Sequence, residues 1–274
     1  MADNISRSRA VARGREEARP LGTGLSVLNG PHRARTGRQV IAKGDLRRGA
    51  ARLWLRGSGV TCPCCGREYR RFMRADGVEN SRCPGCGSYP RHRLLWLWLE
   101  GRLQVRGDEP LRVLHFAPEP GISGRLRNLP GVEYLSGDLD PAVGMRQMDV
   151  SDLPFADDSW DLILCNHVIT YVEDDRRALA ELARVLAPGG LLVMQNPIDV
   201  TASEKYDAAD AYGLRRYGRD LPGLIREAGL EVRVHEYREE LDERTRARFG
   251  IHAGSRRPHV RGDDIYACSH SGAG

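Results

Sequence analysis

No stretch of the 274-residue chain approaches the eighteen or more consecutive apolar residues of a membrane-spanning helix. No apolar h-region opens it, so no secretory signal is expected. The Arg-rich start carries Glu16 and Glu17 and lacks an amphipathic stripe, a poor fit to a transit peptide. The expected compartment is the cytoplasm, with no membrane among the partners. Aromatic residues make up only 6% of the chain, which argues mildly against a surface built to stack unpaired bases. The seven cysteines are an odd number in a long chain, which argues against a disulfide framework and for metal ligation. Acidic residues are scarce at the front. Residues 1–52 carry 12 Lys/Arg against 4 Asp/Glu, residues 53–107 carry 10 against 4, and residues 108–274 carry 20 against 29. The net charge of +5 thus hides a basic front and an acidic back. Such a front either attracts nucleic acid or another acidic partner, or is a solvated tail followed by a soluble metal module.

Residues 1–45 are rich in Arg, Gly and Ala without sustained apolar periodicity and read as a disordered basic tail. A short helix is expected near Leu46–Leu55, within a small Cys-, Gly- and Arg-rich module over 46–90. The nearly continuous apolar run behind Arg91-His92-Arg93 reads as a buried linking helix over 91–107. From 108 to 274 strands alternate with helices. Strands are expected at Leu111–Ala117, Val132–Leu139, Met145–Val150, Trp160–Cys165, Leu191–Asn196, Glu231–Tyr237 and Asp264–Ser269. Helices are expected at Ile122–Asn128, Asp174–Leu186 (stopped by Pro188-Gly189-Gly190) and Leu221–Ala228. That alternation means an α/β fold with a parallel, doubly wound sheet.

Five of the cysteines fall between 62 and 86, and Cys62-Pro-Cys-Cys65-Gly and Cys83-Pro-Gly-Cys86-Gly are two CxxC knuckles. Each tight turn presents two sulfurs to one ion, and four thiolates complete the tetrahedron that zinc prefers. Cys62, Cys65, Cys83 and Cys86 are the expected ligands; Cys64 could replace Cys65 only with a CxC bite. With all positions filled by protein, the site reads as structural.

Ligands of doubly wound folds bind beyond the carboxyl ends of the strands. Four segments converge there in order: the loop His115-Phe-Ala117-Pro-Glu119-Pro-Gly121, then Asp138-Leu139-Asp140, then Asp149-Val150, then Asn166-His167. Asp138 can accept both hydroxyls of a ribose, with Asp140 as substitute if the strand ends later. Asp149 can accept from an adenine amino group, flanked by Leu139 and Val150.

The segments "VEYLSGDLDP", "MDVSDLPFADDSWDLILCNHVI" and "ALAELARVLAPGGLLVMQNP" resemble class I S-adenosylmethionine (SAM)-dependent methyltransferases over about residues 108–270. "CPCCG", "RRFM", "CPGCGSYPRHRLLWLWLE", "VLHFAPEPG" and "RRYGRD" narrow the resemblance to a bacterial family with an N-terminal four-cysteine zinc ribbon. That resemblance implies a Rossmann-like seven-stranded sheet of order 3-2-1-4-5-7-6 and SAM as cofactor. The superfamily's Asp-x-Gly-x-Gly-x-Gly loop is absent: His115 takes the acidic position, and only Gly121 and Gly124 remain nearby. After the fourth strand the family tends to carry His-Val-x-Glu-His, where this chain has His167-Val-Ile-Thr170-Tyr171.

The expected cofactor ligands are His115, Ala117, Glu119, Gly121, Asp138, Leu139, Asp149, Val150 and Asn166. His167 is the candidate base, since an unperturbed imidazole titrates near neutrality; its alternative is to order the loop. Tyr171, Arg91, Arg216 and Tyr217 are candidates for the acceptor side. Arg91 could instead join an interdomain hydrogen-bond cluster, and Arg215–Asp220 could form part of a lid over the acceptor or equally be a solvated loop with Asp220 as helix N-cap. Asn196-Pro197 reads as a strand terminator. The expected reaction is methyl transfer to O or N of a small or peptide-like acceptor. One rival is an RNA methyltransferase that grips nucleic acid with the basic half. The other is a non-catalytic zinc adaptor with a degenerate Rossmann domain.

Overall fold

The computed structural model describes residues 48–106, 110–200, 202–210, 213–252 and 264–271. The expected basic tail over 1–45 lies outside them. The described residues belong to one unit, Lys43–Gly274.

The chain enters through α1 (48–54) and two antiparallel hairpins. β1 (Arg56–Thr61) pairs with β2 (Glu68–Tyr69), and β3 (Met73–Ala75) with β4 (Val78–Arg82). α2 (Pro90–Arg106) follows, then β5 (Leu111–Phe116), α3 (Pro120–Leu126), β6 (Val132–Asp138), β7 (Arg146–Gln147) and β8 (Trp160–Cys165). Next come α4 (Asp175–Val185), β9 (Leu186–Met194), β10 (Ile198–Val200), β11 (Glu204–Asp210) and β12 (Gly213–Gly218). α5 (Leu221–Glu227), β13 (Leu230–His235), α6 (Tyr237–Glu240), α7 (Glu243–Phe249) and β14 (Ile265–His270) complete it.

Seven strands form one sheet in the order β13-β14-β9-β8-β5-β6-β7. Strands β7, β6, β5, β8 and β9 run parallel, and β14 is antiparallel to both neighbours. Counted within the sheet, this is the 3-2-1-4-5-7-6 arrangement. Its two faces are buried differently. Leu114, Ile163, Leu192 and Met194 face α4 and α5 through Leu179, Leu182 and Ile225. Val113, Leu164 and Val193 join Trp96, Trp98, Ile122 and Leu126 of α2 and α3, in a cluster that also holds Tyr69, Phe72, Cys62 and Cys83. The cysteine hairpins therefore share a core with the helices at the first strand. Among the described residues no helix is long and apolar enough to cross a membrane.

Three elements depart from the sequence reading. The strand expected over Met145–Val150 shrinks to Arg146–Gln147, because the chain folds back at Gly144. A Cβ at Gly144 would lie 2.7 Å from the amide of Asp138. The strand expected from Leu191 begins at Leu186, straight out of α4, with Gly189 at φ +72° inside it. A small sheet, β10-β12-β11, occupies the stretch after β9 that had no assigned structure.

Arg93 is fully buried and ties the hairpins to the C-terminal helices. It donates to the carbonyls of Ser81, Ser88, Phe249 and Gly250 at 2.7–2.9 Å and stacks 4.2 Å over the Phe72 ring. Four carbonyls on one guanidinium explain how this charge tolerates burial.

Candidate active site

The carboxyl ends of β5, β6 and β8 open onto a polar rim. Two of the three leave the sheet through strained backbone: Ala117 has φ +46° after β5 and His167 φ +55° after β8. Non-glycine residues in the left-handed region cost free energy and persist where surrounding structure enforces them, often at functional sites. Here the amide of Ala117 donates to the Gly137 carbonyl at 3.0 Å, and that of His167 to Gln195 at 2.8 Å.

Glu119 stands at the N-cap of α3 without capping it. Its carboxylate turns instead to His115 Nε2, 2.7 Å away, and accepts from Asn166 Nδ2 at 3.3 Å. Tyr134 Oη lies 3.0 Å from His115 Nδ1, so a phenol donating there leaves Nε2–H to donate to Glu119. Burial alone would raise the Glu119 pKa. The hydrogen bond and charge of His115, helped by His92, win and hold it at about 2. A buried anion thus bridges the ends of β5 and β8.

Asp138 ends β6, and the amide of Asp140 donates to its Oδ1 at 2.8 Å. The same local turn recurs at Asp140 with the Ala142 amide and at Asp149 with the Ser151 amide. The Met148 amide donates to the Asp138 carbonyl at 2.9 Å, which brings the Asp149 turn beside the end of β6. Leu139 between them is 64% exposed, an apolar side chain left uncovered at a ligand-facing edge. Val150 is different: it is buried in the core beneath.

The acceptor-side candidates scatter. Tyr171 is exposed on a single 3-10 turn after β8. Arg91 lies over the Tyr89 ring at 5.1 Å, close enough to the rim for its charge to act on both His92 and His167. Tyr217 is a correction: it is fully buried in β12, and its hydroxyl donates to Asp175 Oδ2 at 3.0 Å. Arg216 sits on the same strand opposite Glu204. This stretch is a strand rather than a lid or solvated loop. Asp220 does not cap α5 with its side chain; Oδ1 accepts from the amide and hydroxyl of Ser203.

The near-neutral pKa expected for His167 is also corrected. Burial, then the charge of Arg91, pushes it down to about 3, and His92 is lowered alike by burial. Both rings are neutral at physiological pH, and His167 Nε2 is buried without a partner. The sequence reading passed over His92, Tyr134 and Asn196. Asn196 is fully buried with neither side-chain polar atom bonded, and Asn166 Oδ1 is equally unmet. Buried polar atoms left open at a strand end are the usual mark of a ligand or water site.

These shifts fix a pH dependence. Below the ordinary histidine value of 6.5 the unfolded chain takes up two protons that the folded chain refuses until about pH 3. Stability therefore falls as pH drops through that window, and Glu119, depressed to about 2, adds to the loss below its ordinary value of 4.5. Each histidine accounts for roughly 2 kcal/mol by pH 5. Melting temperatures measured between pH 7.5 and 5 will fall, and His92→Asn will make that slope shallower; an unchanged slope would show that His92 is not buried neutral.

Beside α3, the Sγ atoms of Cys62, Cys65, Cys83 and Cys86 all lie within 4.8 Å of one another. Cys62 and Cys86 are 3.6 Å apart, and Cys65 and Cys83 3.8 Å. Zinc–sulfur bonds of about 2.3 Å give a tetrahedron with edges of about 3.8 Å, so the four sulfurs fit zinc. Cys64 stays out of the cluster, with its thiol 3.5 Å from the His92 carbonyl. Gly121, expected among the cofactor ligands, also packs tightly against the cysteines. A Cβ there would sit 3.0 Å from Cys64 Cβ and 3.1 Å from Cys86 Sγ, so its close approach is to the knuckles.

Residues 128–194 match a family model described as a methyltransferase domain. The chain carries a methyltransferase domain. The matched segment of this domain spans Asp138, Asp149, Asn166 and His167, and starts after the unusual His115–Gly121 loop. The ubiquinone/menaquinone biosynthesis C-methyltransferase UbiE of Pectobacterium carotovorum is 36% identical over 101 residues, 35% of this chain and 40% of that protein. The demethylmenaquinone methyltransferase of Clavibacter sepedonicus is 32% identical over 97 residues, covering 30% and 40%. The malonyl-[acyl-carrier protein] O-methyltransferase of Halorhodospira halophila is 29% identical over 157 residues, covering 52% and 48%. The chain spans less than half the length of these curated relatives. An S-adenosylmethionine-dependent methyltransferase structure from Mesorhizobium loti aligns with TM-score 0.46 and 18% identity over 64% of this chain and 97% of that one.

Proposed function

We propose that this chain is a cytoplasmic SAM-dependent methyltransferase with a structural zinc ion in its knuckles, acting on O or N of a small or peptide-like acceptor. The observation that carries the reading is the buried Glu119 carboxylate, held ionised and bonded by His115 and Asn166 at the rim that Asp138 and Asp149 also border. Such an anion suits the ammonium at the methionine end of the cofactor. Asp138 would take the ribose hydroxyls, Asp149 the adenine amino group, and Leu139 a face of the base. Ala117 and His115 shape the loop around that space.

The bound cofactor supplies a methyl group already activated on a sulfonium, so alignment and exclusion of water are the main demands on the protein. The unmet atoms of Asn166 and His167 are available to orient an acceptor by hydrogen bonding. A histidine held near pKa 3 binds a proton poorly at pH 7, so it directs the acceptor's lone pair more than it removes a proton. Of the two expected atoms this favours N, because an amine attacks without prior deprotonation.

A second reading has one observation in its favour. A groove of about 420 Å³ between β1, β2 and α7 is lined by Ser58, Thr61, Glu68, Arg244, Thr245 and Arg248. Its two guanidiniums suit phosphates, as an RNA acceptor would require. The test is transfer of labelled methyl from SAM into a whole-cell extract separated into small molecules, protein and RNA. Label in the small-molecule or peptide fraction supports the proposal, and label confined to RNA overturns the acceptor class. No label together with no SAM binding would leave a zinc adaptor.

A further inference from the structure

We propose that the four-cysteine knuckles are a positioning element of the cofactor site, holding Glu119 in place through Gly121; this rests on reading Glu119 as the ligand of the cofactor's ammonium group. α3 is one short helix of seven residues, and its first turn hangs from Glu119, whose carbonyl accepts the amides of Ile122 and Ser123 at 3.1 and 2.9 Å. Any displacement of that turn moves the carboxylate. The knuckles clamp the turn at two points. At its start, Gly121 lies against Cys64 and Cys86 so closely that not even a methyl group fits without a shift. Near its end, Arg125 donates from Nε and Nη2 to the Pro63 carbonyl at 3.2 and 2.9 Å. A third contact ties the knuckles to α2, where the Cys64 thiol meets the His92 carbonyl at 3.5 Å.

The sulfurs stand at metal-binding separations, and an ion between them fixes where Cys86 and the Cys62–Cys65 turn sit. Without it four crowded thiols have no reason to stay together, and the wall behind Gly121 loosens. Coupling of this kind is reciprocal: if metal steadies Glu119, a ligand that engages Glu119 steadies the metal.

The test uses the full-length, zinc-loaded chain. Zinc release to an excess of a chromogenic chelator is timed alone, with saturating S-adenosylhomocysteine, and with methylthioadenosine at equal saturation. S-adenosylhomocysteine carries the ammonium group; methylthioadenosine has the same adenosine without it. Release is expected to slow by roughly tenfold with the first ligand, the size of a typical coupling between sites, and much less with the second. Gly121→Ala is expected to erase most of that difference and to weaken S-adenosylhomocysteine more than methylthioadenosine. Equal protection by both ligands, or calorimetric binding of S-adenosylhomocysteine with unchanged zinc release, overturns the proposal without touching the methyltransferase reading. Absence of any heat with S-adenosylhomocysteine overturns both. The wild-type measurements stand even if Gly121→Ala fails to fold.

Discussion

Metal-free protein, prepared by chelation and verified by elemental analysis, will lose the ordered structure of its hairpins and melt far below the zinc-loaded form. The strands concerned are too short to stand alone: β2 has two residues, β3 three and β4 five. Their core is thin. Val60, Tyr69, Phe72 and the buried cysteines Cys62 and Cys83 supply most of it, and part of that apolar surface is covered only while the sulfurs converge. Zinc binding in such modules contributes an apparent 10–16 kcal/mol, on the order of a whole domain's stability of about 5–15 kcal/mol. The loss will spread, because Tyr69 and Phe72 share a cluster with Trp96, Trp98 and Ile122. Calorimetry is expected to show a lower first transition, by ten degrees or more on the order-of-magnitude conversion of several kcal/mol. Hydrogen exchange will rise first over residues 56–89, while β5, β8 and β9 remain protected. Cys83→Ser will reproduce the effect. Cys64→Ser will not, since that thiol is not one of the four converging sulfurs and meets the His92 carbonyl instead. An unchanged melt in verified metal-free protein would mean that the hairpins fold without an ion.

How far the chain announces this structure depends on where each element draws its stability. β8 has the bounds read from its sequence, because WDLILC is an apolar run closed by polar residues at both ends. Glu119 could be placed for the same reason, since the apolar run before it marks the end of β5, whereas Asp149 lay inside an expected strand that closes two residues earlier. β11 and β12 gave no such signal. EKYDAAD and GLRRYG are polar, and what fixes β12 is distant, the Tyr217 hydroxyl on Asp175 and the Thr170 hydroxyl on the Arg215 carbonyl. Tyr217 therefore looked like a surface residue of a lid and is a core residue. Gly121 has a packing role that the sequence did not reveal. A glycine in a strand-to-helix loop suggests backbone approaching a ligand, yet here the neighbours are cysteine side chains some thirty-five and more positions earlier, a contact that spacing along the chain does not reveal. Tyr134 and His92 act through His115 and Glu119, so their relevance appears only once the fold brings those rings together. Asn196 shows the limit most sharply: its position after β9 fits a strand terminator, and only its burial with both polar atoms open marks it as part of a site.

Asp138→Ala will raise the dissociation constant for S-adenosylhomocysteine by about a hundredfold or more while leaving the fold intact. The carboxylate sits half-buried at the end of β6, where the Asp140 amide donates to its Oδ1 at 2.8 Å and orients the group. Two hydroxyls of a ribose can share that carboxylate, and hydrogen bonds to a charged group contribute about 1.5–3 kcal/mol each. Losing both amounts to roughly 3–6 kcal/mol, or about two to four powers of ten in affinity. The structural cost is small by comparison, since alanine removes one local turn bond and no core contact. Asp138→Asn keeps its one oxygen as acceptor for the Asp140 amide and puts an NH2 donor where the second carboxylate oxygen stood, so a single hydroxyl can still be held, now as acceptor, and the loss will be nearer tenfold. Asp140 provides the contrast. It is exposed, and its Oδ1 already accepts from Ala142, so Asp140→Ala will bind within a few-fold of wild type. Calorimetric titration of the three variants decides between neighbours that the sequence alone left open. Should Asp140→Ala lose the affinity and Asp138→Ala keep it, the ribose lies one turn further along the chain. Should all three bind as wild type does, the cofactor is not held at the end of β6 at all.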